Sequence, residues 1–202
     1  MKSIKYFIQF LIISILFLIY KILGLRYASY FSGKIISFVG PFFRSKVLIK
    51  SNILKAHPNL SRDQVESISK KMWNNYGRIL AEYIFIKDFR NSKLRNNLEV
   101  KGQEILDMIK KNNEPVIFVS GHFNNFELMA MQIEKSGINL AAIYRPLNNK
   151  FLNFIMEKIR KQYICKNQIK KGISGTKELL SFFKKKTSIA LMIDQRVSQG
   201  IK

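Results

Sequence analysis

Three short apolar runs, Pro115–Val119, Ile138–Tyr144 and Ser188–Ile193, alternate with stretches of helical spacing, and this alternation restricts the second half of the chain to an α/β sheet. Helices are predicted over Gly102–Lys111, Asn125–Lys135 (stopped at Gly137), Lys150–Tyr163 and Gly175–Lys185. The expected architecture is a single α/β domain over 99–202, a central mixed sheet flanked by helices. In open sheets of this kind chemistry gathers at the carboxyl ends of the strands, so the residues after each apolar run are the ones to inspect.

Behind the first run stands Ser120-Gly121-His122-Phe123-Asn124-Asn125-Phe126-Glu127, containing one of the two histidines in the chain. The other, His57, precedes Pro58 in a polar stretch. Inside one helix the five steps from His122 to Glu127 would separate them by about 140°. They meet only if His122 lies in the turn and Asn124 or Asn125 caps the helix, leaving Glu127 in its first turn, where the helix dipole favours a carboxylate. Glu127 would then accept the Nδ1 proton while Nε2 acts as a base. The spacing is equally compatible with a histidine satisfied by hydrogen bonds within the turn. Arg145 ends the second run, Asp194 ends the third, and Arg160 lies at the margin of a helix whose buried side is marked by Phe151, Phe154, Ile155 and Ile159. A structural Arg145–Asp194 ion pair and a solvated Arg160 are the plain alternatives.

The N-terminus reads differently. Tyr6–Leu25 is an apolar run of about 20 residues, the length that crosses a hydrocarbon core. No small-x-small cleavage site succeeds it, so a retained transmembrane anchor over 1–26 is expected. Lys21, Arg26, Lys34, Arg44, Lys46 and Lys50 outweigh Lys2 and Lys5, which places the remainder of the chain on the cytoplasmic side. Ile35–Phe43, interrupted by Gly40-Pro41, is too short to span. A helical, membrane-proximal region over 27–98 includes a helix begun by the capping pair Ser61 and Gln64, in which Trp73 and Tyr76 read as core. The net charge of +22 demands an anionic partner. No glycine-rich phosphate loop, zinc-ligand spacing or RNA-binding aromatic pattern accompanies it, which argues against a nucleic-acid binder. The lone Cys165 reads as core.

Taken in order, GHFNNFE (Gly121–Glu127), YRPLNN (Tyr144–Asn149), Arg160 and IDQR (Ile193–Arg196) resemble the late acyltransferases of lipid A biosynthesis, the lauroyl/myristoyl or Kdo2-lipid A acyltransferases. The resemblance implies transfer of an acyl group from acyl-acyl carrier protein, or acyl-CoA, to a hydroxyl of an anionic lipid A precursor, in lipopolysaccharide biosynthesis at the cytoplasmic face of the bacterial inner membrane. It implies no cofactor and no metal. His122, Glu127 and Arg160 would be catalytic, and Arg145, Asn125, Asn149 and Asp194 would bind substrate or organise the site. The chain resembles a C-terminally truncated member, with Gln199–Lys202 reading as the approach to another strand. Glycerol-phosphate acyl transfer, or an inactive membrane-associated protein, is the alternative.

Overall fold

The computed structural model describes residues 2–194. Gln195 and Arg196 of the IDQR segment, and the strand expected near 199–202, lie outside the described residues. The chain forms two compact units, one of Ile13–Phe85 and one made of the residues through Ile12 together with those from Ile86 onward. The first turns of the apolar helix thus belong to the same unit as the sheet.

Helix α1 (Lys2–Val39) is interrupted by non-helical backbone at Gly24, whose φ of 74° suits glycine. It is long and apolar enough to cross a membrane, and its apolar side chains are mostly exposed. The segment Ile35–Phe43, read as too short to span, continues this helix to Val39 and ends in a 3-10 turn, Gly40–Phe42. Then come α2 (Lys46–Ala56) and α3 (Arg62–Glu82), the latter opened by the predicted capping box between Ser61 and Gln64. In this unit Ser32 Oγ donates to the Gly77 carbonyl at 2.6 Å. A Cβ at Gly77 would lie 2.3 Å from the Ser32 carbonyl oxygen, so glycine is what permits α1 and α3 to touch. Trp73 is half-buried against Gly40, and Tyr76, also read as core, is exposed.

The second unit begins with α4 (Ile86–Arg90) and α5 (Gln103–Asn112), followed by β1 (Ile117–Ser120), α6 (Glu127–Lys135), β2 (Leu140–Tyr144) and α7 (Lys150–Ile159). A π turn, Arg160–Ile164, extends α7, and β3 (Asn167–Lys170), α8 (Ile173–Lys184) and β4 (Ser188–Met192) complete it. The α/β class is as expected, but every described strand pairing is parallel, not mixed, in the order β1-β4-β2-β3. Each strand is joined to the next by a helix, and a helical crossover returns the chain parallel to its predecessor. The steps β1 to β2 and β2 to β3 run one way across the sheet and β3 to β4 runs back. Right-handed crossovers then put α6 and α7 on one face and α8 on the other. A Cβ at Gly175 would sit 2.0 Å from the Lys170 carbonyl oxygen, which fixes how closely α8 leaves β3.

Core side chains include Met131 and Ile133 from α6, Leu140 and Ala141 from β2, Ile169 from β3, Ile189 and Ala190 from β4, and Ile86 and Phe89 from α4. Cys165 joins them as expected, donating its Sγ–H to the Leu140 carbonyl at 3.0 Å, with burial pushing its thiol up to about 12. Two readings are corrected. β1 is an edge strand among the described residues, so Ile117 and Val119 are 54% and 56% exposed where a buried strand was expected. Phe154 is 71% exposed, leaving Phe151, Ile155 and Ile159 on the packed side of α7. Asn149, expected to bind substrate, is only 6% exposed and caps α7, its Oδ1 accepting from the Phe151 and Leu152 amides at 3.1 and 3.3 Å. Its Nδ2 donates to the Tyr6 carbonyl at 2.8 Å and to Gln9 Oε1 at 3.3 Å, while Phe7 and Phe10 pack on Phe151. These hydrogen bonds engage both ends of the amide in holding the fold.

Removing this cap leaves helix donors unpaired. Asn149→Ala is expected to lower stability by about 1–2 kcal/mol, read as a fall in thermal midpoint in detergent, while Asn148→Ala at the exposed neighbour leaves it unchanged.

Candidate active site

The register between β1 and β4 builds the site. Ile117 lies opposite Ile189 and Ser120 opposite Met192. The ladder continues one step further, Ile193 N–H donating to the Ser120 carbonyl at 3.0 Å. The next residues on the two strands are His122 and Asp194, and they meet. Asp194 Oδ1 lies 2.7 Å from His122 Nδ1, and Oδ2 accepts the His122 backbone N–H at 2.9 Å. One carboxylate thus holds both the ring and the loop that carries it. Gly121 gives the room: a Cβ there would stand 2.9 Å from the Phe123 ring and 3.3 Å from Asp194 Cγ. Phe126 presses on the imidazole in an edge-to-face arrangement, ring centroids 4.6 Å apart.

With a carboxylate on Nδ1, the neutral ring keeps its proton there and presents Nε2 as the acceptor. The His122 amide and ring hold the Asp194 carboxyl below its usual range. Since the folded value is the lower one, the pairing is intact above the ordinary carboxylate range and is lost as pH falls through the depressed value.

Glu127 does not occupy the position expected of it. The turn after β1 runs longer than the spacing suggested, with Asn124 in the left-handed region (φ 44°) and Phe126, not Asn124 or Asn125, at the N-cap of α6. Glu127 is the first residue of that helix, as anticipated, but its Oε1 accepts from Arg160 Nε at 2.8 Å and Nη2 at 2.5 Å. The two side chains are 10% and 13% exposed, so this is a buried ion pair bracing the start of α6 against the end of α7. The Arg160 guanidinium also sits 5.5 Å from the Tyr144 ring. Arg160 is therefore not the solvated helix charge that its position at the margin of α7 allowed.

Tyr144 and Glu157 were not singled out by the sequence. The Tyr144 hydroxyl donates to Glu157, which also accepts from Asn153 Nδ2 at 2.9 Å. Burial, then Glu157, raises the Tyr144 phenol above its usual range, and the same hydroxyl and Asn153 lower the Glu157 carboxyl. The i, i+4 spacing of Asn153 and Glu157 was the available signal. Arg145 is exposed at the end of β2, and the alternative Arg145–Asp194 pair is not formed, because Asp194 faces His122. Asn125 is half-buried in the turn, its carbonyl accepting from Leu128 N at 3.1 Å.

Comparisons with known proteins converge on one family. The model of the bacterial lipid A biosynthesis acyltransferase family matches residues 1–201. A lipid A biosynthesis myristoyltransferase of Escherichia coli (strain K12) is 23% identical over 131 residues, covering 65% of this chain and 40% of that protein. Lipid A biosynthesis acyltransferase 1 of Shigella flexneri matches at the same identity and coverage. The matched stretch thus spans less than half of either relative.

The buried ion pair and the open histidine should respond differently to truncation. Glu127→Ala strands a buried guanidinium and is expected to cost about 3 kcal/mol or more, whereas His122→Ala, at a partly exposed ring, should stay within about 0.5 kcal/mol of wild type. Chemical or thermal unfolding of the two variants side by side checks this.

Proposed function

Because the chain belongs to the bacterial lipid A biosynthesis acyltransferase family, we propose that it transfers a fatty acyl group from acyl-acyl carrier protein, or acyl-CoA, to a hydroxyl of a lipid A precursor. The observation carrying the reading is the pair of hydrogen bonds that Asp194 accepts from the His122 ring and backbone, which leaves Nε2 as a base at the carboxyl edge of a parallel sheet.

In this mechanism Nε2 removes the acceptor hydroxyl proton as the oxygen attacks the thioester carbonyl. The tetrahedral intermediate collapses with cleavage of the carbon–sulfur bond, and the imidazolium returns the proton to the departing thiolate. The new ester and the free thiol leave an unchanged histidine. Asp194 stabilises the transient imidazolium and keeps the ring in one tautomer. Glu127 and Arg160 keep the floor of the site in place by bracing α6 against the turn after α7. Arg145, at the neighbouring strand end and exposed, is the residue best placed to meet an anionic acceptor.

Location supports the same reading. The apolar α1 is suited to anchoring the chain where a lipid acceptor resides, and the excess of basic residues after it favours the cytoplasmic face of the inner membrane, where acyl carrier protein is available. Both partners are acidic or anionic, in keeping with the charge of +22.

Membranes bearing the protein, supplied with labelled acyl-acyl carrier protein, are expected to label a lipid A precursor and to leave glycerol phosphate unlabelled. His122→Ala should abolish transfer, and Asp194→Asn should slow it on the order of 100-fold or more. Transfer at the wild-type rate by His122→Ala would overturn the mechanism, and preferential labelling of glycerol phosphate would overturn the acceptor.

A further inference from the structure

The helical unit Ile13–Phe85 contains a second concave site with a different chemistry. A cavity of about 440 Å³ lies between the later turns of α1 and the face of α3, lined by Lys34 and Ser37 on the first and by Lys70, Lys71, Asn74 and Arg78 among others on the second. Its charged lining residues are all cationic. Glu66, a turn before Lys70 on α3, is engaged elsewhere, by Lys50 at 3.1 Å and by Arg62 at 3.7 Å. Among the described residues none of the four cations makes an ion pair. Four like charges converging on one cavity repel one another unless an anion sits between them.

The walls are partly preorganised. Arg78 Nε donates to Asn74 Oδ1 at 2.9 Å and Nη1 to Ser29 Oγ at 3.4 Å, which fixes the plane of the guanidinium. A Cβ at Gly33 would stand 2.8 Å from Asn74 Nδ2, so the two helices meet closely beside the cavity. Ammonium, guanidinium, amide and hydroxyl donors together suit a tetrahedral oxyanion.

The position of the cavity along α1 points to where that anion comes from. The apolar run ends at Leu25, and Tyr27, Tyr30, Phe31, Ile35 and Phe38 then remain exposed on the same helix that carries Lys34. An aromatic, partly basic stretch directly after a membrane-spanning segment belongs at the lipid–water interface. We propose that the Lys34–Lys70–Lys71–Arg78 cavity is a phosphate site, separate from the His122 site, filled at the membrane surface by the phosphate of an anionic lipid headgroup. Free phosphate presents the same chemistry, so the test must part the two sources.

The experiment uses the full chain in a neutral detergent, titrated calorimetrically with two probes, dihexanoyl phosphatidate and inorganic phosphate. Saturable binding that weakens with added salt is expected, with the lipid probe the tighter. The variant Lys34→Gln/Lys70→Gln/Lys71→Gln alters only exposed side chains and should weaken binding at least 10-fold, whereas His122→Ala should bind as wild type. Arg78→Lys, which keeps the charge and loses the fork, should give an intermediate loss. Equal affinity for inorganic phosphate would keep the site and reassign its source to the free ion. Wild-type affinity in the triple variant, or no saturable binding of either probe, would overturn the proposal.

Discussion

The parallel register of β1 against β4 is the constraint on which the candidate active site depends. Because Ser120 is opposite Met192, the residues two steps on are His122 and Asp194, and a carboxylate reaches both ring and backbone of the histidine. A slip of one residue would turn Asp194 to the other face of the sheet and undo the pair. That register rests in turn on strand order. β4, last of the four in sequence, enters between β1 and β2, and Ser188 helps seat it by accepting the Val116 amide at 3.2 Å and donating its own backbone N–H to the Asn139 carbonyl at 2.8 Å.

Two carboxylates divide the labour according to burial. Asp194 is partly exposed, and its strength lies in geometry: two hydrogen bonds accepted from one residue, just beyond the end of β4. Glu127 is buried against Arg160, where removal of either partner would strand a charge in a low-dielectric setting. The first arrangement suits proton transfer and the second suits holding α6 and the turn after α7 together. Tyr144 connects the Glu127–Arg160 pair to the rest of the unit, its ring under the Arg160 guanidinium and its hydroxyl on Glu157.

Much of this is legible in the chain, and the misreadings have physical causes. Apolar runs and helical spacing locate β1, β2 and β4 and the α/β class, because burial imposes those patterns directly. They do not reveal the partner of His122, since Asp194 becomes its neighbour only through strand order, which local spacing does not encode. Glu127 is the nearer carboxylate in sequence, but a left-handed residue at Asn124 lengthens the turn and delivers Glu127 to Arg160. β3 leaves no apolar pattern because only Ile169 of Asn167-Gln168-Ile169-Lys170 is fully buried in a strand paired on one side. Asn149 carries a readable signal, an asparagine directly before a helical stretch, and that signal is the signature of a helix cap.

The central claim is that Asp194 sets His122 as a base with Nε2 unprotonated. Nitrogen-15 NMR of the His122 ring, in full-length protein at a pH where the ring is neutral, tests it directly. The account predicts the proton on Nδ1, and a mixture of tautomers in Asp194→Asn. A proton resident on Nε2, or a ring whose tautomer is indifferent to Asp194→Asn, would contradict it.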